Sequence, residues 1–215
     1  MAFAYHEPLE EPFFAREREL LERWRCNWRD RGWETQVLRE EDALAHPLYG
    51  RARTLVLLSG GTTSVAYRQA TWMRWLAWAI VDWGVHSEAI LVDYDVFNLR
   101  FRIEHAVALY QPGHIVNLHA GNCAMPIIAD KKAAWTIPAL LCAHGERAVT
   151  GPHGELHDDP WINELRDRRS GLVELHDVVD TIGQERGGPL IHIANSHRGS
   201  ESKIDAWDRL ARAHA

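Results

Sequence analysis

Apolar residues recur along the chain in two alternating rhythms, and the alternation predicts an α/β domain. Leu20, Leu21, Trp24 and Trp28 return at spacings of three and four, so residues 15–31 read as an amphipathic helix that Gly32 ends. Residues 2–5 before it and 33–38 after it are short runs with strand character. Residues 40–45 read as a short helix halted by Pro47. The run at 54–58 is apolar and β-prone, and it leads into Ser59-Gly60-Gly61-Thr62-Thr63-Ser64. Residues 64–83 are apolar on nearly every side, as in a helix buried all round, and Gly84 ends it. Residues 89–92 form a short buried strand; 101–109 and 114–118 are further strands about the turn Gln111-Pro112-Gly113. Residues 131–142 read as helical with a break near Pro138, 159–168 and 172–182 as helices, 190–194 as a strand, and 202–213 as a polar closing helix. Helices alternating with strands imply a mixed, mostly parallel sheet flanked by helices. A length of 215 residues suits one domain spanning 1–215.

Composition narrows the partners. A net charge of -6 removes any general pull toward nucleic acid or anionic membranes. Lys131, Lys132 and Lys203 are the only lysines; the remaining basic residues are Arg. Cys26, Cys123 and Cys142 are odd in number and widely spaced, which fits neither a disulfide framework nor a zinc ribbon and points to a reducing compartment. The N-terminus has no basic start followed by an apolar run, and the most apolar stretch, 72–81, contains Arg74 and is too short to cross a bilayer. The expectation is a cytoplasmic protein without a membrane span.

The candidate chemistry begins at Asp93-Tyr94-Asp95. Two carboxylates two residues apart, directly after the apolar Ile90-Leu91-Val92, point the same way in an extended chain. They would converge at the carboxyl end of a strand, where open α/β sheets place ligands. Close carboxylates repel, and a hard cation such as Mg²⁺ or Mn²⁺ relieves the conflict. Arg74 sits among Trp72, Met73, Trp75, Leu76 and Trp78, so it needs an anionic partner: Asp82 or Glu88, the Asp pair, or a bound anion. Near the end of the chain His192 lies in a short apolar strand that runs on to His197 and Arg198. A neutral imidazole can complete a carboxylate metal site, and a guanidinium can clamp a phosphate at two points.

At these residues the chain resembles glycosyltransferases of the GT-A fold. Residues 67–98 are similar to their core: a helix bearing an Arg, an apolar strand, then D-x-D and a small apolar residue. Arg74 with Asp93-Tyr94-Asp95-Val96 is most similar to the D-x-D sugar transferases related to capsular polysaccharide synthesis enzymes and mannosyltransferases. Thr150-Gly151-Pro152 resembles a segment near their sugar site, and the His192 strand resembles the late metal-ligand strand of glycogenin-like transferases. The resemblance implies a GT-A (Rossmann-like) fold and a nucleotide-sugar donor. It implies Mn²⁺ or Mg²⁺ held by Asp95 and His192, with Asp93 on the metal or the donor ribose and Arg74 on the donor sugar or diphosphate. Ala70-Thr71 stands where those families carry Ser-Asp, the approach to the D-x-D strand has only Gly84, and the late Lys-Pro-Trp is replaced by Ser202-Lys203.

The expected site therefore has Asp95 at its catalytic centre, with His6, Arg74, Asp93, Tyr94, His197 and Arg198 around the donor. Arg198 or Lys203 would add charge beside the diphosphate. Asp158 and Asp159 are candidates for a base if the transfer inverts configuration; the alternative is an acidic turn capping a helix from Pro160. Trp135 and Trp161 are candidates for stacking on a sugar or base. The acceptor would be a saccharide or lipid hydroxyl, with modified DNA a further possibility. Two rivals remain. In one, the strand at 54–58, the Ser59-Gly60-Gly61 loop and the following helix resemble the phosphate cradle of ATP pyrophosphatases, which adenylate their substrates. In the other, the chain binds nucleotide-sugar without turnover.

Overall fold

The computed structural model describes residues 1–7, 16–60, 63–119, 125–150, 162, 164, 171–184, 186–193 and 201–214. Its centre is a six-stranded sheet in the order β2-β1-β3-β6-β5-β7. The strands are β1 (Ala2–Tyr5), β2 (Thr35–Leu38), β3 (Glu88–Leu91), β5 (Ile115–Asn117), β6 (Ile127–Asp130) and β7 (Val173–Leu175). β6 runs against both of its neighbours, and every other pairing is parallel. A second sheet joins β4 (Val96–Asn98), β9 (Leu190–His192) and β8 (Val179–Thr181).

The period of two along the strands sets the layers. Phe3, Tyr5, Leu91, Ile127 and Ala129 face one core, which packs against α3 (Tyr49–Leu58), α4 (Val65–Ile80) and α6 (Lys131–Thr150). Ala2, Ala4, Ile90, Val92 and Ile128 face the other, shared with α1 (Glu17–Arg29), the second sheet and α7 (Lys203–Ala213). Two further helices, α2 (Glu40–Ala43) and α5 (Ile103–Leu109), complete the mixed α/β fold.

Helix α4 begins at Ser64, whose side chain accepts from the Tyr67 N–H at 3.2 Å. Trp72, Met73, Trp75, Leu76, Ala77 and Trp78 are fully buried, as the all-round apolar pattern predicts. At its far end Gly84 takes a positive φ of 61° while Asp82 accepts its N–H at 2.9 Å, and this turn feeds β3. On the opposite layer, α1 is fastened to the strand that follows the Asp pair. Trp28 Nε1 donates to Val96 O at 3.1 Å, and Asn27 exchanges two hydrogen bonds with the Asn98 backbone at 2.7 and 3.0 Å.

Three predicted elements are corrected. Residues 54–58 belong to helix α3: Ala52, Leu55 and Val56 are buried while Leu57 and Leu58 are 59% and 65% exposed, a helical period. Residues 103–109 are helix α5, where only Ala106 is buried. Residues 173–175 and 179–181 are strands, claimed by ladder partners in β5 and β9 over any local helical tendency. Strands β4 and β6 had no counterpart in the predicted elements. Pro138 lies inside α6 without ending it, held by burial of Ala134, Ile137, Pro138 and Leu141. Among the described residues, no helix is long and apolar enough to cross a membrane.

Candidate metal and donor site

The carboxyl edge of the large sheet gathers the candidate residues. His6 follows β1, Asp93-Tyr94-Asp95 follows β3, and His119 lies just past β5. The Asp pair is not extended, as the sequence reading assumed, but turned: Val96 N donates to Asp93 O at 3.0 Å. The turn still brings the carboxylates together, because the chain folds straight back into β4. There Val96 pairs with His192 in the antiparallel β4–β9 ladder, and Ile193 N donates to Asp95 O at 2.9 Å. This register places His192 on the Asp pair. One ligand atom each from Asp93, Asp95 and His192 lies within 4.8 Å of the others.

Each acidic member has a fixed cationic neighbour. Arg74 Nη1 donates to Asp93 Oδ1 at 2.7 Å; of the partners considered for this helix Arg, the Asp pair is the one it reaches. Lys203 Nζ donates to Asp95 Oδ2 at 2.6 Å. His192 Nε2 stands 3.5 Å from Asp95 Oδ1, at the outer limit of a hydrogen bond. Asp95 is 7% exposed, and its Oδ1 is buried without a hydrogen-bond donor. Burial pushes the Asp95 carboxyl upward, but the Lys203 ammonium and His192 outweigh it and hold it well below the usual carboxylate range. For His192, burial works against the charged form and Asp95 wins, so its pKa is raised.

Tyr94 points away from the pair. Its hydroxyl donates to Glu17 Oε1 at 2.7 Å, while His6 Nε2 lies 3.4 Å from Glu17 Oε2 and the His6 and Tyr94 rings meet edge-on at 5.6 Å. Burial, reinforced by Glu17, raises the Tyr94 pKa and keeps the phenol protonated. The His119 ring lies 6.0 Å from that of His192, and burial with its histidine neighbour lowers its pKa.

Of the residues expected at the site, the structure converges Asp93, Asp95 and His192 with Arg74 on Asp93, while His6 and Tyr94 lie at the same sheet edge turned to Glu17. Asp158, Asp159, Trp161, His197 and Arg198 lie outside the described residues. Glu17 and His119 were missed. Glu17 sits in a helix read only for its apolar stripe, and His119 follows a strand with no motif around it. Trp135 is 46% exposed and packs on His46 at 5.0 Å, on α6 of the helical layer.

The donor set suits a divalent cation. Two carboxylates and an imidazole converge, and a buried carboxylate oxygen lacks a donor, the environment a hard or borderline cation fills. The strand expected at 54–58 for a cradle of the ATP pyrophosphatase kind is helix α3 instead, and Gly61 and Thr62 of its loop lie outside the described residues.

The fold has a solved counterpart. It is similar to the crystal structure of the apo-form glycosyltransferase GlyE of Streptococcus pneumoniae TIGR4, with a TM-score of 0.50 at 12% identity. The match covers 99% of this chain and 63% of that chain, so this chain spans less than two thirds of GlyE's length. No protein-family model matches the sequence, and no curated protein matches it.

Proposed function

We propose that this protein is a metal-dependent glycosyltransferase that moves a sugar from a UDP- or GDP-sugar to an acceptor hydroxyl. The observation that carries this reading is the convergence of Asp93, Asp95 and His192 within 4.8 Å at the carboxyl edge of a glycosyltransferase-like sheet. Asp93, Asp95 and His192 would hold Mn²⁺ or Mg²⁺. Such a cation offsets the negative charge that builds on the departing diphosphate.

The chain's own residues divide the remaining work. Arg74 orients Asp93 through its 2.7 Å hydrogen bond and adds positive charge beside the donor. Lys203 supplies a second cation on the leaving-group side, with Arg198 expected beside it from the sequence. His6 and Tyr94, tied together by Glu17, form the edge on which the donor nucleotide rests. Asp158 and Asp159 remain candidate bases on sequence grounds, for an inverting transfer. A saccharide or lipid hydroxyl is the favoured acceptor; the net charge of -6 disfavours duplex DNA, whose binding draws on phosphate neutralisation. The cysteine pattern supports a cytoplasmic setting.

The deciding assay is hydrolysis of a panel of UDP- and GDP-sugars with and without Mn²⁺ or Mg²⁺. Metal-dependent release of UDP or GDP, lost in Asp95→Asn, is expected. A folded protein that turns over none of the panel under any condition contradicts the enzyme reading. If it still binds a nucleotide-sugar, the non-catalytic binding domain takes its place.

A further inference from the structure

The residue that grips Asp95 most closely is a lysine, and its position is unusual. Lys203 is one of three lysines in the chain and occupies the first position of α7. A cation there opposes the positive end of the helix dipole, so the position is unfavourable without a compensating anion. Asp95 Oδ2 is that anion, 2.6 Å away. The placement is firm. Ser202 caps the helix by accepting from Asp205 N at 3.1 Å, Trp207 meets Phe97 of β4 edge-on at 5.0 Å, and Arg23 of α1 pairs with Asp208. Trp207 thus holds α7 against the strand that leaves the Asp pair, Arg23 ties it to α1, and Ser202 fixes its first turn.

We propose that Lys203 is a built-in counter-ion of the cation site, and that its ammonium and a divalent cation compete for Asp95. The inference rests on the metal reading of Asp93, Asp95 and His192 given above. Lys203 holds Oδ2 while the cation would take Oδ1, and two positive charges on one buried carboxylate repel, so each weakens the other's hold. The Lys203 side chain is 22% exposed, which leaves it a path toward solvent. In the metal-free protein the ammonium is the nearer of the two groups that offset the buried Asp95 charge, His192 being the other. The competition therefore weakens cation binding in the absence of donor. A diphosphate, which offers the released ammonium a new partner, would bind together with the cation rather than before it.

The experiment titrates Mn²⁺ alone into the folded protein without nucleotide, counting free Mn²⁺ by its electron paramagnetic resonance signal. Wild type is compared with Lys203→Met and Lys203→Gln, each first checked for native circular dichroism. Removal of a charge-assisted hydrogen bond from the competing state should tighten Mn²⁺ binding about tenfold in both variants. Lys203→Arg, which keeps the charge, should stay close to wild type. Equal or weaker Mn²⁺ binding in Met and Gln variants overturns the competition while leaving the metal site standing. Absence of Mn²⁺ binding in wild type and variants alike overturns the metal reading, and the competition with it.

Discussion

His192 lies opposite Val96 in the β4–β9 ladder, and this single register brings its imidazole to 3.5 Å from Asp95 across 97 residues of sequence. The pairing is made by the backbone, so it does not depend on the side chain at 192. His192→Ala should therefore keep the fold and weaken Mn²⁺ binding by at least about tenfold, the usual scale for loss of one ligand-level contact. Calorimetric titration of Mn²⁺ and a thermal melt on the same sample separate the two effects. Loss of the fold together with the metal would show that the imidazole holds the ladder instead.

Arg74 is a test of the second acidic partner. Its side chain is 11% exposed, and Asp93 is 32% exposed. Arg74→Ala removes a charge-assisted hydrogen bond and leaves Asp93 partly solvated, so the stability loss should stay near 1–2 kcal/mol in urea unfolding. Nucleotide-sugar turnover should fall much further, because Asp93 loses its orientation and the donor loses a cation. Arg74→Lys should recover most of the stability but less of the turnover, since an ammonium lacks the planar fork.

Much of this was legible in the sequence. The all-round apolar helix α4, the buried strand leading to Asp93 and the need of Arg74 for an anionic partner each follow from residue type and spacing alone. The strand carrying His192 was equally plain. What the sequence could not show was which strands pair. Nothing in residues 173–182 announces that β7 joins β5 and β8 joins β9; those residues also satisfy a helical period, and the sheet decides. The same holds at 54–58, where β-prone Leu and Val serve a helix because Ala52, Leu55 and Val56 meet a core on one side. Glu17 escaped notice because its partners, His6 and Tyr94, are 11 and 77 residues away and meet it only in the fold.

Gly145 tests the helical layer that supports α4. A Cβ there would come within 2.4 Å of the Trp72 ring and 3.3 Å of Leu55. Trp72 is fully buried and cannot swing aside. The helix propensity gained in Gly145→Ala, about 1 kcal/mol, is opposed by an overpacking cost of about 1–3 kcal/mol. A lower midpoint in chemical denaturation is expected. A higher midpoint would mean that α4 and α6 have slack to separate.

Asp130 links stability to pH. Its carboxylate accepts from Ala133 N at 2.6 Å at the start of α6, and from Tyr110 Oη at 2.8 Å and Gly113 N at 2.7 Å. Burial pushes the carboxyl upward, but these hydrogen bonds prevail and its pKa is lowered. A lowered folded-state pKa contributes stability above the unfolded value, about 4, and loses it as pH falls through the folded value. Asp130→Ala should cost about 1–2 kcal/mol at neutral pH, and the gap from wild type should shrink below about pH 4. Urea unfolding at pH 7 and pH 3 measures it; a gap that stays constant would remove Asp130 from the titration.

The central claim is that Asp93, Asp95 and His192 form a cation site for a nucleotide diphosphate. Crystals grown with Mn²⁺ and UDP, measured for anomalous scattering at the manganese edge, test it most directly. The account predicts one strong peak about 2 Å from carboxylate oxygens of Asp93 or Asp95 and from His192 Nε2, with the diphosphate on its open side. A UDP molecule bound without manganese at these residues, or manganese bound elsewhere on the chain, would contradict it.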